Sequence, residues 1–215
     1  MSPEPIAPLP VLEEEDRARA DLYALLARLY YRGPDAEVLA LIARAGEEVP
    51  PETASAFAAA LRALAASSRS ITDPVAVQQE YDDLFVGTGR AEVSVYAAYY
   101  LAETGREKVL VALRSELAAM GLSRKASALE PEDHFAALFD VMRHLIERGS
   151  DNAAALQYQL RFFARFVQPC YAAFCAALGQ SRRAEYYAAV GALTHAFLDV
   201  ENEATKMLSI ESGAR

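Results

Sequence analysis

The chain of 215 residues contains no tryptophan, two cysteines and three histidines. Cys170 and Cys175 are five residues apart, so on a helix they point about 140° apart and cannot form a CxxC site. We expect two reduced thiols buried in the core, as is usual in the cytoplasm. No apolar run approaches the roughly 18 residues that a spanning helix requires, so we expect no stable membrane insertion. The N-terminal residues lack the basic and apolar regions of a signal peptide.

The motifs of several enzyme and metalloprotein classes are also absent. A di-iron helical bundle needs Glu three residues before His, but those positions hold Pro131, Val141 and Ala192. The sequence has no HExxH zinc motif and no GxSxG serine elbow. Gly87 and Gly89 resemble part of a phosphate loop, but the GKS or GKT ending and the preceding strand are missing. We therefore expect no enzyme, no metal and no cofactor.

The charge of the chain is strongly one-sided. Its formal net charge is −9, from 21 lysines and arginines against 30 aspartates and glutamates. Nucleic acids and anionic membranes are bound through clusters of lysine and arginine, so this balance argues against both partners. It is compatible with a basic partner, although solubility alone also explains it.

What the sequence does contain is helical periodicity. Alanine is abundant, β-branched runs are absent and no segment alternates with period two for long, so we predict an all-α fold of about nine or ten helices. We predict one compact bundle over residues 13–209, with a flexible arm at 1–12, which holds four prolines, and a flexible tail at 210–215. The predicted helices span residues 13–32, 35–45, 51–66, 74–85, 104–120, 131–148, 150–180 with a break at Pro169, and 182–208. Residues 95–102 are short and tyrosine-rich, and they are either helical or extended.

The most distinctive stretch is Glu-Pro-Glu-Asp-His at 130–134, followed directly by an apolar helical pattern. Pro131 suits the first helical position, and Asp133 would add negative charge to the first turn, where the helix dipole favours it. His134 falls at the edge of the apolar face. Elsewhere, Thr104 and Glu107 form a capping box, and Gly46 and Gly149 are expected to end helices.

Two motifs in the chain resemble the TorD/DmsD/NarJ-like family of molybdoenzyme-specific chaperones, also called redox enzyme maturation proteins. The first is an aromatic-x-x-Leu-Phe segment followed by glycine, from Tyr81 to Gly87. The second is the Glu-Pro-x-Asp-His signature from Glu130 to His134, about 45 residues further on. Many relatives have a proline and bulky aromatics after the glycine turn, whereas here only Tyr96 is aromatic in that region.

The resemblance implies a TorD-like bundle and a cytoplasmic chaperone rather than an enzyme. Such proteins bind the N-terminal leader, often a twin-arginine one, or the apo form of a molybdopterin oxidoreductase, assist cofactor insertion and delay export. The implied leader-binding residues are Tyr81, Leu84, Phe85, Tyr96, Glu130, Asp133 and His134. An apolar groove edged by carboxylates would suit such a leader, since carboxylates accept guanidinium groups bidentately.

Several alternatives stay open at this stage. Each motif also has a structural explanation: core packing for Leu84, a helix N-terminal charge for Asp133, and a partly buried, hydrogen-bonded ring for His134. Two other functions are a small helical enzyme or cofactor carrier using His134, and a structural adaptor that binds through residues 182–215. The sequence does not choose among clients like the reductases of dimethyl sulfoxide, trimethylamine oxide or nitrate, or formate dehydrogenase. It also leaves open a monomer or a helix-swapped dimer hinged at 121–130.

Overall fold

A computed structural model describes residues 12–87, 91–125, 128–149 and 153–213. Within these ranges the chain forms ten α-helices and two short π-helical segments and has no β-strand, which confirms the predicted all-α class. The α-helices are α1 (Glu14–Tyr31), α2 (Ala36–Glu47), α3 (Ala56–Ser70), α4 (Pro74–Tyr81), α5 (Ala98–Leu101), α6 (Arg106–Ala119), α7 (Phe135–Glu147), α8 (Ala153–Phe162), α9 (Tyr171–Gln180) and α10 (Tyr186–Gly213). The π-helical segments are π1 (Asp82–Val86), directly after α4, and π2 (Phe163–Val167), directly after α8.

The centre of the bundle is the contact between α1 and α7. Tyr23 and Tyr30, two turns apart on α1, both pack on Phe139 of α7, with 6.0 Å between ring centroids. All three rings are fully buried. Tilted aromatic pairs at this separation add attraction beyond the area they bury. The apolar faces predicted for these helices therefore meet each other directly.

Helices α9 and α10 close the other side of this core. Phe174 of α9 stacks on Phe135 of α7, with ring centroids 4.1 Å apart. The hydroxyl of Tyr30 forms a hydrogen bond of 2.8 Å with the hydroxyl of Thr194 on α10. Both predicted thiols, Cys170 and Cys175, are buried and free, as expected. Burial raises the pKa of each to about 12, so both stay protonated and unreactive near neutral pH.

Helix α10 begins against a carboxylate from a distant helix. The side chain of Glu80 on α4 accepts hydrogen bonds from the backbone N–H groups of Glu185, Tyr186 and Tyr187, at 2.9, 3.1 and 2.8 Å. The first N–H groups of a helix have no partner within the helix, so a carboxylate there acts as a cap and also meets the positive end of the dipole. Glu80 thereby fastens α4 to α10.

Two predicted helix boundaries in the first hairpin are wrong. Gly46 lies inside α2 rather than ending it, because the helix packs so closely on α3 that a Cβ at Gly46 would lie 2.1 Å from Cβ of Ala65. Helix α3 begins at Ala56, not at Pro51, and its cap is Ser55, whose hydroxyl accepts from the N–H of Ala58 at 3.0 Å. It also continues to Ser70, beyond its predicted end at residue 66.

Two further predicted caps are also wrong. Helix α6 begins at Arg106 after Gly105, whose φ is 73°, and no side-chain cap from Thr104 is present there. Helix α7 begins at Phe135, four residues later than Pro131 predicts. The turn at Pro131 is tied instead to neighbouring segments, and this tertiary pairing overrides the local preference. The first residues of the next predicted helix, 150–152, and the predicted arm up to residue 11 lie outside the described residues.

No single helix among the described residues is long and apolar enough to cross a membrane. Ala154–Val167 and Tyr171–Gln180 pass that test only when taken together across a bend of 45°. Phenylalanines of both segments, including Phe162 and Phe174, are fully buried in the bundle.

Candidate functional site

The aromatic-x-x-Leu-Phe motif coincides with the end of α4 and π1. Tyr81, Leu84 and Phe85 are all buried there, and the ring of Phe85 packs edge-on against Tyr81 and Tyr187 at 5.1 Å. The hydroxyl of Tyr81 donates to the backbone carbonyl of Tyr31, 2.8 Å away. That carbonyl lies at the end of α1, where helix carbonyls lack intrahelical partners. The motif therefore belongs to the core and fixes the end of α1.

A non-helical segment, residues 93–97, connects this motif to the Glu-Pro-x-Asp-His turn. The N–H of Val93 donates to the carbonyl of Leu84 at 3.0 Å. Further along, the carbonyl of Val95 accepts from Phe135 at 2.8 Å, and Tyr96 and His134 form an isolated antiparallel bridge. The two motifs, far apart in sequence, are thus parts of one hydrogen-bonded unit.

Asp133 is a buried residue of this unit. Its carboxylate accepts from the N–H of Ala98 at 3.2 Å, and its backbone carbonyl accepts from Ala97 at 2.8 Å. Burial raises the pKa of this carboxyl. Asp133 therefore lies before α7 rather than in its first turn, where the sequence placed it, and it holds the segment that leads into α5.

His134 is the N-cap of α7. Its Nδ1 accepts a hydrogen bond from the N–H of Ala136 at 3.1 Å, so the proton of the neutral ring lies on Nε2. The ring is 2% exposed, and burial lowers its pKa to about 4 despite the opposing charge of Glu130. His134 is consequently a neutral hydrogen-bond donor and a poor base near neutral pH.

Glu130 and Tyr96 form the polar edge of the site. The Tyr96 hydroxyl donates to Glu130 Oε2 at 2.8 Å, and the Tyr96 ring lies edge-on to His134 at 5.4 Å. Burial and this hydrogen bond raise the pKa of Tyr96 to about 12. The next carboxylate, Glu132, receives two hydrogen bonds of 3.0 Å from the guanidinium of Arg114, which lowers its pKa and fastens the turn to α6.

Glu130, Glu132 and His134 border a cleft of about 780 Å³ between α1, α7 and the chain that follows α6. Small side chains, among them Ala24, Ala27 and Ala137, form much of its wall. Tyr31, which is 51% exposed, stands at one side. The exposed surface of its lining is mostly apolar, and charged side chains of both signs surround it, among them Arg28, Arg124, Glu130 and Arg143. A cleft of this size and lining has the character of a binding site.

Most charged groups around the cleft already have partners. Arg28 pairs with Asp35, and Arg143 pairs with Asp140 and Glu147. The carboxylate of Glu130, by contrast, accepts from a neutral hydroxyl. Among the acidic residues of the described cleft, Glu130 is thus the one best placed to receive a basic group from a ligand.

A comparison with models of protein families matches residues 47–176 to the nitrate reductase delta subunit. The matched region is more than half of the chain and contains both motifs. The chain belongs to the nitrate reductase delta subunit family. This family consists of maturation chaperones for molybdoenzymes, which agrees with the broader resemblance seen in the sequence. No match is found among curated proteins.

For this member of the nitrate reductase delta subunit family, the structure divides the seven predicted residues into two groups. Tyr96, Glu130 and His134 meet in direct contact, and both Glu130 and His134 line the cleft. The other four, Tyr81, Leu84, Phe85 and Asp133, are buried behind it.

Sequence reasoning missed the opposite wall, supplied by α1, because small residues such as Ala24 and Ala27 carry no local signal of binding. No group of three or more His, Cys, Asp or Glu side chains among the described residues could hold a metal ion.

Proposed function

We propose that this protein is a cytoplasmic maturation chaperone for a molybdenum-containing nitrate reductase and that its cleft binds the N-terminal leader of the catalytic subunit. The observation that carries the proposal is that Tyr96 contacts both Glu130 and His134, and that these two residues line a cleft with an apolar wall. Membership in the nitrate reductase delta subunit family supports this class of client. Binding of the leader delays export or assembly while cofactor insertion is assisted.

The chemistry of the cleft fits a leader that combines a basic group with an apolar stretch. Glu130 supplies a carboxylate for a guanidinium or ammonium group, and the alanine-lined wall accepts the apolar stretch. His134 adds a neutral donor on Nε2. In this proposal Tyr96, Glu130 and His134 contact the leader, while Tyr81, Leu84, Phe85 and Asp133 hold the contacting groups in place.

The test is calorimetric titration of the protein with a synthetic leader peptide from the nitrate reductase catalytic subunit of the same organism. Glu130→Gln keeps an acceptor for the Tyr96 hydroxyl but removes the charge, so we expect roughly five- to thirtyfold weaker binding. Glu37→Gln, an exposed change on α2 away from the cleft, is the matched control and should bind like the wild type.

His134 requires a pair of variants, because the ring also caps α7. Asn is a favourable N-cap, so His134→Asn keeps the cap and removes the Nε2 donor, whereas His134→Leu removes both. We expect both variants to bind the leader more weakly but only His134→Leu to lose about 1 kcal/mol of stability. Wild-type affinity in Glu130→Gln and His134→Asn would refute this site, and a wild type that binds no leader would refute leader binding itself.

A further inference from the structure

The imidazole of His144 has an unusual environment near the other end of the cleft. Its Nε2 atom is buried but has no hydrogen-bond partner, and among the described residues no other buried side-chain nitrogen or oxygen is unpaired. Buried polar atoms are nearly always paired, because an unpaired one has lost its hydration without compensation. An orphaned atom of this kind therefore calls for a specific explanation.

The acidic residue nearest to His144 on its own helix already has another hydrogen-bond partner. Asp140 lies four residues earlier on α7, the spacing at which helical side chains meet. Its carboxylate, however, accepts a hydrogen bond from Nε of Arg143 at 2.9 Å, and Arg143 also binds Glu147 at 2.7 Å. These three charges satisfy one another, and His144 is left out of their network.

The position of His144 connects it to the proposed leader site. Its half-buried ring lines the same cleft as His134. Ten residues separate the two histidines, which corresponds to about 15 Å along a helix. Between them the wall that α7 contributes includes the apolar residues Ala136, Ala137 and Val141. The cleft thus has a polar ring toward each end of an apolar strip.

We propose that His144 is a second recognition residue, whose Nε2 forms a hydrogen bond with the bound leader about 15 Å from the group that meets His134. This inference rests on the proposed function and deepens it. A rotation of the imidazole about χ1 or χ2 turns Nε2 toward the cleft, and the broad χ2 well of histidine permits the movement. The matching leader carries a hydrogen-bonding group, a side chain or an unpaired backbone carbonyl, within its apolar stretch.

The test compares leader binding with the stability of the free protein in His144→Leu and His144→Gln. His144→Leu removes the orphaned nitrogen, so we expect its urea midpoint to equal or exceed that of the wild type while leader binding weakens about five- to tenfold. His144→Gln restores a hydrogen-bonding group at similar reach and should recover most of the affinity. The control is His195→Leu on α10, because His195 lies outside the cleft and pairs with Asp199 at 3.1 Å; it should bind the leader normally.

Each other outcome overturns the inference in a distinguishable way. If the wild type binds the leader and His144→Leu binds equally well, His144 plays no part, although the proposed function stands. If His144→Leu loses both affinity and urea stability, or if His144→Gln binds as weakly as His144→Leu, the role of the ring is structural. If the wild type binds no leader peptide, leader binding and this inference fail together.

Discussion

At the scale of single residues, the site combines buried groups whose charged forms are disfavoured. Burial lowers the pKa of His134 to about 4 and raises the pKa of Asp133. Tyr96 is likewise held protonated while it donates to Glu130. His134 and Tyr96 therefore offer neutral donors beside the carboxylate of Glu130. Such an arrangement suits recognition by hydrogen bonds better than proton transfer, which needs a group that titrates near the working pH.

The lowered pKa of His134 predicts a pH-dependent stability. His134 takes up a proton near pH 6.5 in the unfolded chain but only near pH 4 in the folded protein. The stability that depends on a neutral His134 is therefore complete above pH 6.5 and is lost as the pH falls toward 4. Between pH 8 and pH 5 the free energy of unfolding should fall by roughly 2 kcal/mol more in the wild type than in His134→Asn. Urea unfolding at both pH values measures the difference. Equal losses in the two proteins would show that His134 does not titrate this way.

At the scale of elements, stability depends on a few long-range contacts that position the helices. Glu80 caps α10 from α4, and Gly46 allows α2 and α3 to approach closely. Tyr81 binds the last carbonyl of α1, and Arg114 fastens the turn before α7 to α6. Each of these contacts joins two different segments of the chain. Each therefore stabilises the packing of the helices against one another as well as the helices themselves.

The surroundings of two helical glycines, Gly46 in α2 and Gly179 in α9, predict opposite effects on stability when each is replaced by alanine. Gly46→Ala would place Cβ 2.1 Å from Cβ of Ala65, so we expect a loss of about 1–3 kcal/mol in unfolding free energy. Gly179→Ala in α9 meets nothing within 4 Å and should stabilise the protein by about 0.5–1 kcal/mol through helix propensity. Thermal and urea unfolding measure both. Adding Ala65→Gly should recover part of the loss in Gly46→Ala, and no recovery would contradict the proposed clash.

The distant cap at the start of α10 yields another prediction. Glu80→Ala removes the acceptor for three backbone N–H groups and should lower the free energy of unfolding by about 1–2 kcal/mol. Hydrogen exchange should show the earliest increase in the first turn of α10. Glu185→Gln removes a neighbouring exposed charge without touching the cap, so its effect should be much smaller. Equal effects from both variants would indicate a general charge effect instead of capping.

At the scale of the whole molecule, an acidic chain carries a cleft whose own charges are largely paired. In the proposed function the net charge of −9 attracts the basic leader at a distance, whereas Glu130 and the apolar wall act only after contact. Long-range attraction of this kind raises association rates more than final affinity. The proposal therefore assigns encounter and recognition to different parts of the molecule.

This separation predicts how salt changes leader binding. Stopped-flow association with the basic leader peptide should slow on the order of tenfold between about 0.05 and 0.5 M salt, because the Debye length falls from roughly 14 to 4 Å. The dissociation rate should change much less. An association rate that does not depend on salt would mean that the acidic surface serves solubility alone.

The sequence by itself determined the all-α class, most helix positions, the two buried thiols and the two motifs of the chaperone family. These features follow from helical periodicity, composition and short local patterns, which act over a few residues. It placed the cap of α6 at Thr104, whereas the helix begins after Gly105. It also placed the start of α7 wrongly, because the pairing of this turn with residues 95–98 outweighs a local preference worth about 1 kcal/mol. The prediction for Gly46 failed for the same reason, since the approach of α3 cannot be read from α2.

Only the tertiary structure decided which motif residues border the cleft and which face the core. The sequence gives no means of separating the residues of the first motif, Tyr81, Leu84 and Phe85, from Tyr96 and His134. In the fold, the residues of the first motif are buried, and the Tyr81 hydroxyl binds the end of α1. The far wall of the cleft comes from α1, about a hundred residues before His134 in the chain. A cleft arises where separate helices fail to fill the space between them, so it belongs to no segment and has no pattern in the sequence.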